Sequence, residues 1–272
     1  NRLTAVVQEM GAQLERTAIS TNIKERLDFS CALLDAKGRL IVNAPHIPVH
    51  LGALGLCVRE VAARLELGAG DVAVTNHPAF GGSHLPDVTL IAPVMDDAGV
   101  LMGYVANRAH HAEIGGIVPG SMSPEARVLE EEGVVIAPQY LFKGGKACGV
   151  GLEACLREAR FPTRCLEENL ADLQAQVAAI RRGEQAWRRV VGEFGAETVC
   201  GQMDRIRQRA AAAVDSWLVK WEGKDLQSEQ KLDNGAVLKV RVTVLNGRMV
   251  VDFTGTSAMD VGCLNATPAI VR

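Results

Sequence analysis

Val88-Thr89-Leu90-Ile91-Ala92-Pro93-Val94-Met95, Asp96-Asp97-Ala98-Gly99 and Val100-Leu101-Met102-Gly103-Tyr104-Val105-Ala106-Asn107 form the stretch whose reading decides the fold. Two β-type runs flank four turn-forming residues, which predicts an antiparallel hairpin. Just upstream, residues 71–76 form a third β-type run. Further back, residues 29–35 and 39–43 flank Ala36-Lys37-Gly38 as a second hairpin. Helical spacing joins Leu51, Leu54, Val58, Val61, Ala62 and Leu65, with Gly68 and Gly70 as the stop. The same spacing in Leu3, Val6, Val7, Met10 and Leu14 predicts an opening helix to about Ile19. Downstream, residues 115–150 read as a long irregular connection, and residues 153–221 as helices with charged faces. Residues 231–253 alternate in β fashion around Asn246-Gly247. The expected class is α+β, with an α/β domain over 1–150, a helical region over 151–228, and the start of a β-rich domain over 229–272.

Composition narrows the function. Of the 272 residues 48% are hydrophobic but only 4% aromatic, so the core is aliphatic. With 29 basic and 32 acidic residues the net charge is −3, and no basic run offers a nucleic-acid surface. No apolar stretch approaches the roughly 18 residues that span a bilayer, and no signal pattern opens the chain, which predicts a cytoplasmic protein without a membrane segment. The seven cysteines, without a Cys-x-x-Cys, read mostly as small buried hydrophobes. The start at Asn1 and the end just after a strand-like stretch suggest a piece of something longer.

All six histidines fall between residues 46 and 111. If the 88–107 hairpin turns at Asp97-Ala98, Asp87 lies beside Arg108 and His84 beside His111. Its open end then gathers His84, Asp87, His110 and His111. Two imidazoles and a carboxylate are what an open divalent-metal site needs, and such a set suits Zn²⁺, Mn²⁺ or Fe²⁺. The spacing leaves open which of His110 and His111 ligates. Adjacent residues of an extended chain face opposite ways, so one should ligate while the other lines the pocket. His111 and Glu113 are the candidates for proton transfer. The loop from Asn76 and His77 through Gly82 leads into the cluster and is expected to contribute to substrate binding. In His46-Ile47-Pro48-Val49-His50, Pro48 argues against a helical metal-binding pair, so His50 reads as a pocket wall. Gly144-Gly145-Lys146-Ala147 lacks the spacing and the hydroxyl residue of a phosphate-binding loop, and no dinucleotide fingerprint or nucleophile elbow is present. Any ATP used would bind elsewhere.

Several motifs occur together and in order: Glu25-Arg26-Leu27-Asp28-Phe29-Ser30, Ala44-Pro45-His46-Ile47-Pro48-Val49-His50-Leu51-Gly52, Asn76-His77-Pro78 through Gly82-Ser83-His84-Leu85-Pro86-Asp87-Val88, and His110-His111-Ala112-Glu113-Ile114-Gly115-Gly116. Glu131-Glu132-Gly133, the run from Asn169 to Gln176, and Asp252-Phe253-Thr254-Gly255-Thr256-Ser257 follow. Together they resemble the hydantoinase B family, which includes the B subunit of N-methylhydantoinase, the C-terminal half of 5-oxoprolinase and the alpha-type subunit of acetone carboxylase. The resemblance covers essentially the whole chain, although family members usually continue well beyond the position of Arg272. It departs at Ser83, often Thr in relatives, and at Gly262-Cys263-Leu264-Asn265, more often Gly-Pro-Ile-Asn. It implies a metal held by a His-x-x-Asp pair and a later His, which maps onto His84, Asp87 and His110. It further implies a hetero-oligomer in which a hydantoinase A-type partner binds ATP and phosphorylates the carbonyl oxygen of a small cyclic amide. The B-type chain would then complete ring hydrolysis. Two alternatives stand beside this: a subunit of an ATP-dependent ketone carboxylase, and a non-catalytic assembly subunit that keeps a metal for structure.

Overall fold

A computed structural model describes residues 2–44, 47–148 and 150–271. They form two compact units, one comprising residues 1–200 with 262–272 and the other residues 201–261. Among the described residues no helix is long and apolar enough to cross a membrane.

The first unit opens with α1 (Arg2–Thr17), whose Leu3, Val6, Val7, Met10 and Leu14 recur every three or four residues and are all buried. A short α2 (Thr21–Lys24) leads to the hairpin β1 (Phe29–Asp35) and β2 (Leu40–Ala44). Next come α3 (His50–Ala62), β3 (Val72–Thr75), β4 (Asp87–Met95) and β5 (Leu101–His110). The connection after β5 is less irregular than its Gly and Pro content predicts. It holds α4 (Leu129–Glu132) and a strand pair, β6 (Gln139–Lys143) with β7 (Lys146–Ala147), turned by Gly144 and Gly145 at φ 56° and 78°. These strands complete a wholly antiparallel seven-stranded sheet of order β2-β1-β5-β4-β3-β6-β7.

The sheet is covered on both faces, so β1 is buried at every position. Ala32 and Leu34 of β1 and Ala106 of β5 pack against Leu54, Cys57, Val58 and Val61 of α3. Asn107, one residue along β5, points the other way and bonds to Gln176 of α6 (Leu166–Phe194). That second face is layered by α1 and α6, with α5 (Val150–Glu158) against α6. Trp187 of α6 is fully buried against Gly103, where a side chain would collide with the indole and with the carbonyl of Leu34. Gly195 at φ 79° ends α6, its amide donating to Val191 O. After the second unit the chain supplies α8 (Pro268–Val271), which packs on α3.

The second unit contains most of α7 (Ala196–Leu218) and a three-stranded antiparallel sheet of β8 (Asp225–Lys231), β9 (Val237–Leu245) and β10 (Arg248–Asp252). Asn246 and Gly247, at φ 52° and 67°, turn β9 into β10 as their sequence predicts. Strand β8 lies largely ahead of the expected β run, because its Gln, Ser, Glu and Lys are exposed and carry little apolar signal.

The central hairpin differs from expectation in register. Asp96 Oδ1 accepts from the amides of Ala98 and Val100, and Gly99 turns at φ 79°, which makes a three-residue connection. A bulge follows at Val94/Met95. Connection and bulge each slide the pairing by one residue, so Asp87 pairs with His110 and Thr89 with Arg108. The cysteines also depart from expectation. Cys31 and Cys57 are buried, but Cys148, Cys165 and Cys200 are exposed, and no disulfide joins any of them among the described residues.

Candidate metal centre

Asp87 opens β4 and faces His110, the last residue of β5. His84 is brought alongside by the turn around Pro86, in which the amide of Asp87 donates to His84 O at 3.0 Å and that of Val88 to Pro86 O at 3.0 Å. One ligand atom from each of His84, Asp87 and His110 lies within 4.8 Å of the others. Asp87 Oδ1 is 3.2 Å from His110 Nδ1, and Oδ2 is 3.4 Å from His84 Nδ1. The two imidazoles meet edge to face with centroids 4.8 Å apart. The Asp87 side chain is fully buried, whereas His110 and His84 are 17% and 30% exposed, so the cluster is open on the histidine side.

The carboxylate is held from several directions. Ser83 Oγ donates to Asp87 Oδ2, and His50 Nε2 lies 3.1 Å from the same oxygen. Ser30 Oγ accepts from the amide of Ile47 and contacts His50 Nδ1 at 3.0 Å. Because a carboxylate only accepts, the His50 proton belongs on Nε2, with Nδ1 accepting from Ser30. Burial pushes the Asp87 carboxyl up. The bonds from His110 and His50 and the neighbouring imidazole charges outweigh burial and hold it well below the usual carboxylate range. For His84 burial dominates and pushes the imidazole below its usual value, against the pull of Asp87. Asp28 stands at the edge, its Oδ2 3.9 Å from His110 Nδ1 and its carbonyl accepting from the amide of His110. Two residues before His110 on β5, Arg108 is fully buried, its Nη2 donating to Gly81 O at 2.7 Å and its Nε to Thr89 Oγ1 at 2.8 Å.

The structure thus gathers His84, Asp87 and His110 with His50 against them. It places the other expected residues apart. His111 faces the α6 side, 1% exposed, with Nε2 3.1 Å from Gln176 Oε1 and Nδ1 3.2 Å from Asn169 Nδ2. Glu113 accepts from the amide of Gly115, from Thr163 Oγ1 and from the amide and guanidinium of Arg164. Burial pushes its carboxyl up, and these donors outweigh it, leaving it below the usual range. Both ring nitrogens of His111 and both oxygens of Glu113 are therefore engaged inside the protein. Asn76 is spent on the loop backbone: Nδ2 donates to Leu85 O and Val134 O, and Oδ1 accepts from the amide of Ile136. His77 caps the short turn 78–80 through Nδ1 and stacks near Phe80. Gly82 sits where a side chain would strike the carbonyls of Asn76 and His77. His46 lies outside the described residues. Asp28, Ser30 and Ser83 were not singled out as site residues. The pairing of β1 with β5, Ser30 opposite Arg108, is what brings the first two in.

The sequence profile of hydantoinase B/oxoprolinase proteins matches residues 1–272. The chain belongs to that family. This hydantoinase B-family chain is 40% identical over 286 residues to the 5-oxoprolinase of Saccharomyces cerevisiae, aligning along its whole length with 22% of that protein. With 5-oxoprolinase 1 of Arabidopsis thaliana it shares 40% identity, over 99% of the chain and 23% of the relative. It therefore spans about a fifth of these relatives. Among solved structures it resembles the ATP-dependent caprolactamase of Pseudomonas jessenii, with a TM-score of 0.89 and 25% identity over 99% of this chain and 47% of that one. Acetone carboxylase in its nucleotide-free form gives a TM-score of 0.85 at 18% identity over 97% of this chain and 37% of that one, a likeness of fold alone.

Proposed function

We propose that this chain is the metal-binding part of an ATP-dependent enzyme that opens a small cyclic amide, of the hydantoinase or 5-oxoprolinase type. The observation that carries the reading is the convergence of His84, Asp87 and His110 at the open end of a doubly covered hairpin. The high identity to 5-oxoprolinases along the whole chain supports the substrate class. The donor set fits a divalent ion. A buried carboxylate is held ionised between two imidazoles, and His84 Nδ1 is buried without a hydrogen-bond partner among the described residues. Two nitrogens and one oxygen suit Zn²⁺, Mn²⁺ or Fe²⁺. When bound, such an ion supplies Lewis acidity toward the carbonyl of the activated ring.

The chain's own side chains do the rest. Ser83 and His50 fix the Asp87 carboxylate, so that its oxygens keep one orientation while substrate approaches from the exposed edges of His84 and His110. Asp28, partly exposed beside His110, is placed to take or return a proton at Oδ2. A proton-transfer role for His111 or Glu113 demands that one of their internal bonds open during turnover, and the geometry favours holding the strand end and the loop after it. ATP would be bound by a hydantoinase A-type partner. A second reading, ketone carboxylation, draws on the shared fold with acetone carboxylase.

The test is ATP-dependent turnover by the full protein with its A-type partner, on 5-oxoproline, hydantoin and acetone with bicarbonate, with metal measured on the same samples. Ring hydrolysis that disappears with the metal in His84→Ala is expected. Bicarbonate fixation without hydrolysis would replace the reading by the second, and undiminished hydrolysis in metal-free His84→Ala would remove the metal from it. Glu113→Gln and His111→Ala that lose about 10²–10⁴-fold in turnover at full metal content would restore proton transfer to them.

A further inference from the structure

On the face of the sheet opposite the three ligands lies a polar assembly that the proposed chemistry does not use. Asn107, His111, Asn169 and Gln176 are each at most 1% exposed. Asn169 and Gln176 stand two turns apart on one face of α6, turned toward the hairpin. Buried amides are kept only where protein bonds replace water, and here every polar atom of the two side chains is engaged. Gln176 Nε2 donates to Val88 O at 2.9 Å and to Asn107 Oδ1 at 3.0 Å. Gln176 Oε1 therefore faces His111 Nε2, which carries the ring proton. Asn169 Nδ2 donates to Glu113 O at 2.7 Å and to His111 Nδ1 at 3.2 Å, while its Oδ1 lies 2.6 Å from Thr163 Oγ1, whose single proton it shares with Glu113. Asn107 Nδ2 returns a bond to Gln176 O at 2.8 Å, and the amide of His111 donates to Pro86 O at 2.9 Å.

The places gripped are telling. Val88 follows Asp87, His111 follows His110, and Pro86 lies two residues after His84, so each ligand residue sits within two residues of a held backbone or ring. We propose that Gln176 and Asn169, acting through His111, are positioning residues that set the spacing of His84, Asp87 and His110. The proposal rests on the reading of those three as a metal site. Apolar packing would fill the same space, but only directional bonds fix the ring rotation and the strand-end register together. Loss of such outer partners elsewhere costs about 10–100-fold in metal affinity.

The experiment measures binding of Zn²⁺ and of Mn²⁺, each alone, to the full chain by competition with a chelating indicator, beside thermal melts of the metal-free protein. Gln176→Met should weaken binding by about 10–100-fold, and Asn169→Ala by a smaller factor. Asp71→Asn, a buried-carboxylate change at the far end of β3, should lower the melt and bind as wild type. Nitrogen NMR of the metal-free chain should show His111 protonated on Nε2 alone in wild type and as a tautomer mixture in Asn169→Ala. Wild-type affinity in both α6 variants, with His84→Ala unable to bind, overturns the positioning role and leaves the metal site standing. Affinity losses that simply follow the melts, Asp71→Asn included, overturn it equally. If wild type binds neither ion, the metal reading fails and takes this proposal with it. Should Gln176→Met not fold, Asn169→Ala decides by the same criteria.

Discussion

Asp87 is a fully buried carboxylate bonded by Ser83, His50 and His110, and a charge in that position is tolerable only because those donors replace its water. Asp87→Asn keeps the shape and removes the charge, so elemental analysis should find the variant without metal while its fold persists. Retained metal at wild-type occupancy would show that the carboxylate is dispensable. Gly81 illustrates a backbone constraint at the same loop. It turns at φ 83°, and a Cβ there would lie 2.5 Å from the amide nitrogen of Cys57 in α3. Gly99 has nearly the same φ, 79°, but open space around it. Gly99→Ala should therefore cost only the left-handed penalty of about 1–2 kcal/mol. Gly81→Ala should cost clearly more in denaturant unfolding, and equal costs would show that the loop moves freely away from α3. At this scale the sequence was informative wherever chemistry alone marks a residue, as it does for His84 and Asp87. It was silent about Ser30 and Asp28, which matter only because another strand lies next to theirs.

Elements were legible where periodicity was strong, as in α1, β1 and the β9–β10 hairpin, and least legible where polar strands stand at an edge. Strand β6 joins the sheet through β3, and Asp71 secures that junction by accepting from the amides of Gly68 and Gly144 and from Lys143 Nζ at 2.9 Å. Burial pushes its carboxyl up, but these donors outweigh it and leave the pKa below the ordinary value. A carboxyl so lowered adds stability above its unfolded pKa of about 3.9 and loses that contribution as pH falls through the lower folded value. Melting temperature should therefore drop below pH 4 more steeply in wild type than in Asp71→Asn, and parallel curves would refute the assignment. On the other face, Trp187 anchors α6 over Gly103. Trp187→Ala should cost about 3–5 kcal/mol in chemical denaturation, and a cost below about 1 kcal/mol would mean that the helix is held chiefly elsewhere.

For the whole molecule, a metal that binds only the folded chain must stabilise it by mass action, by about 2.7 kcal/mol at a hundredfold excess over Kd. Added Zn²⁺ or Mn²⁺ should raise the melting temperature of the chain and leave that of His84→Ala unmoved. The purified chain alone should not hydrolyse ATP, because Gly144 and Gly145 turn a β-hairpin and Ala147 follows Lys146 where a phosphate-binding loop needs Ser or Thr. Hydrolysis abolished by Lys146→Ala would contradict this. The amino-acid sequence by itself determined the long helices, three of the hairpins and the gathering of histidines at one hairpin end, because periodicity and turn chemistry act over a few residues. It predicted a pairing two residues from the real one, and the site survived that error because an even shift returns every side chain to the same face. Only the tertiary structure decided that His110, and not His111, meets Asp87, and that His50 reaches across from α3. Those outcomes depend on a bulge, a three-residue turn and the stacking of helices on both faces of the sheet. Such features are set by packing between distant segments, which no local pattern encodes.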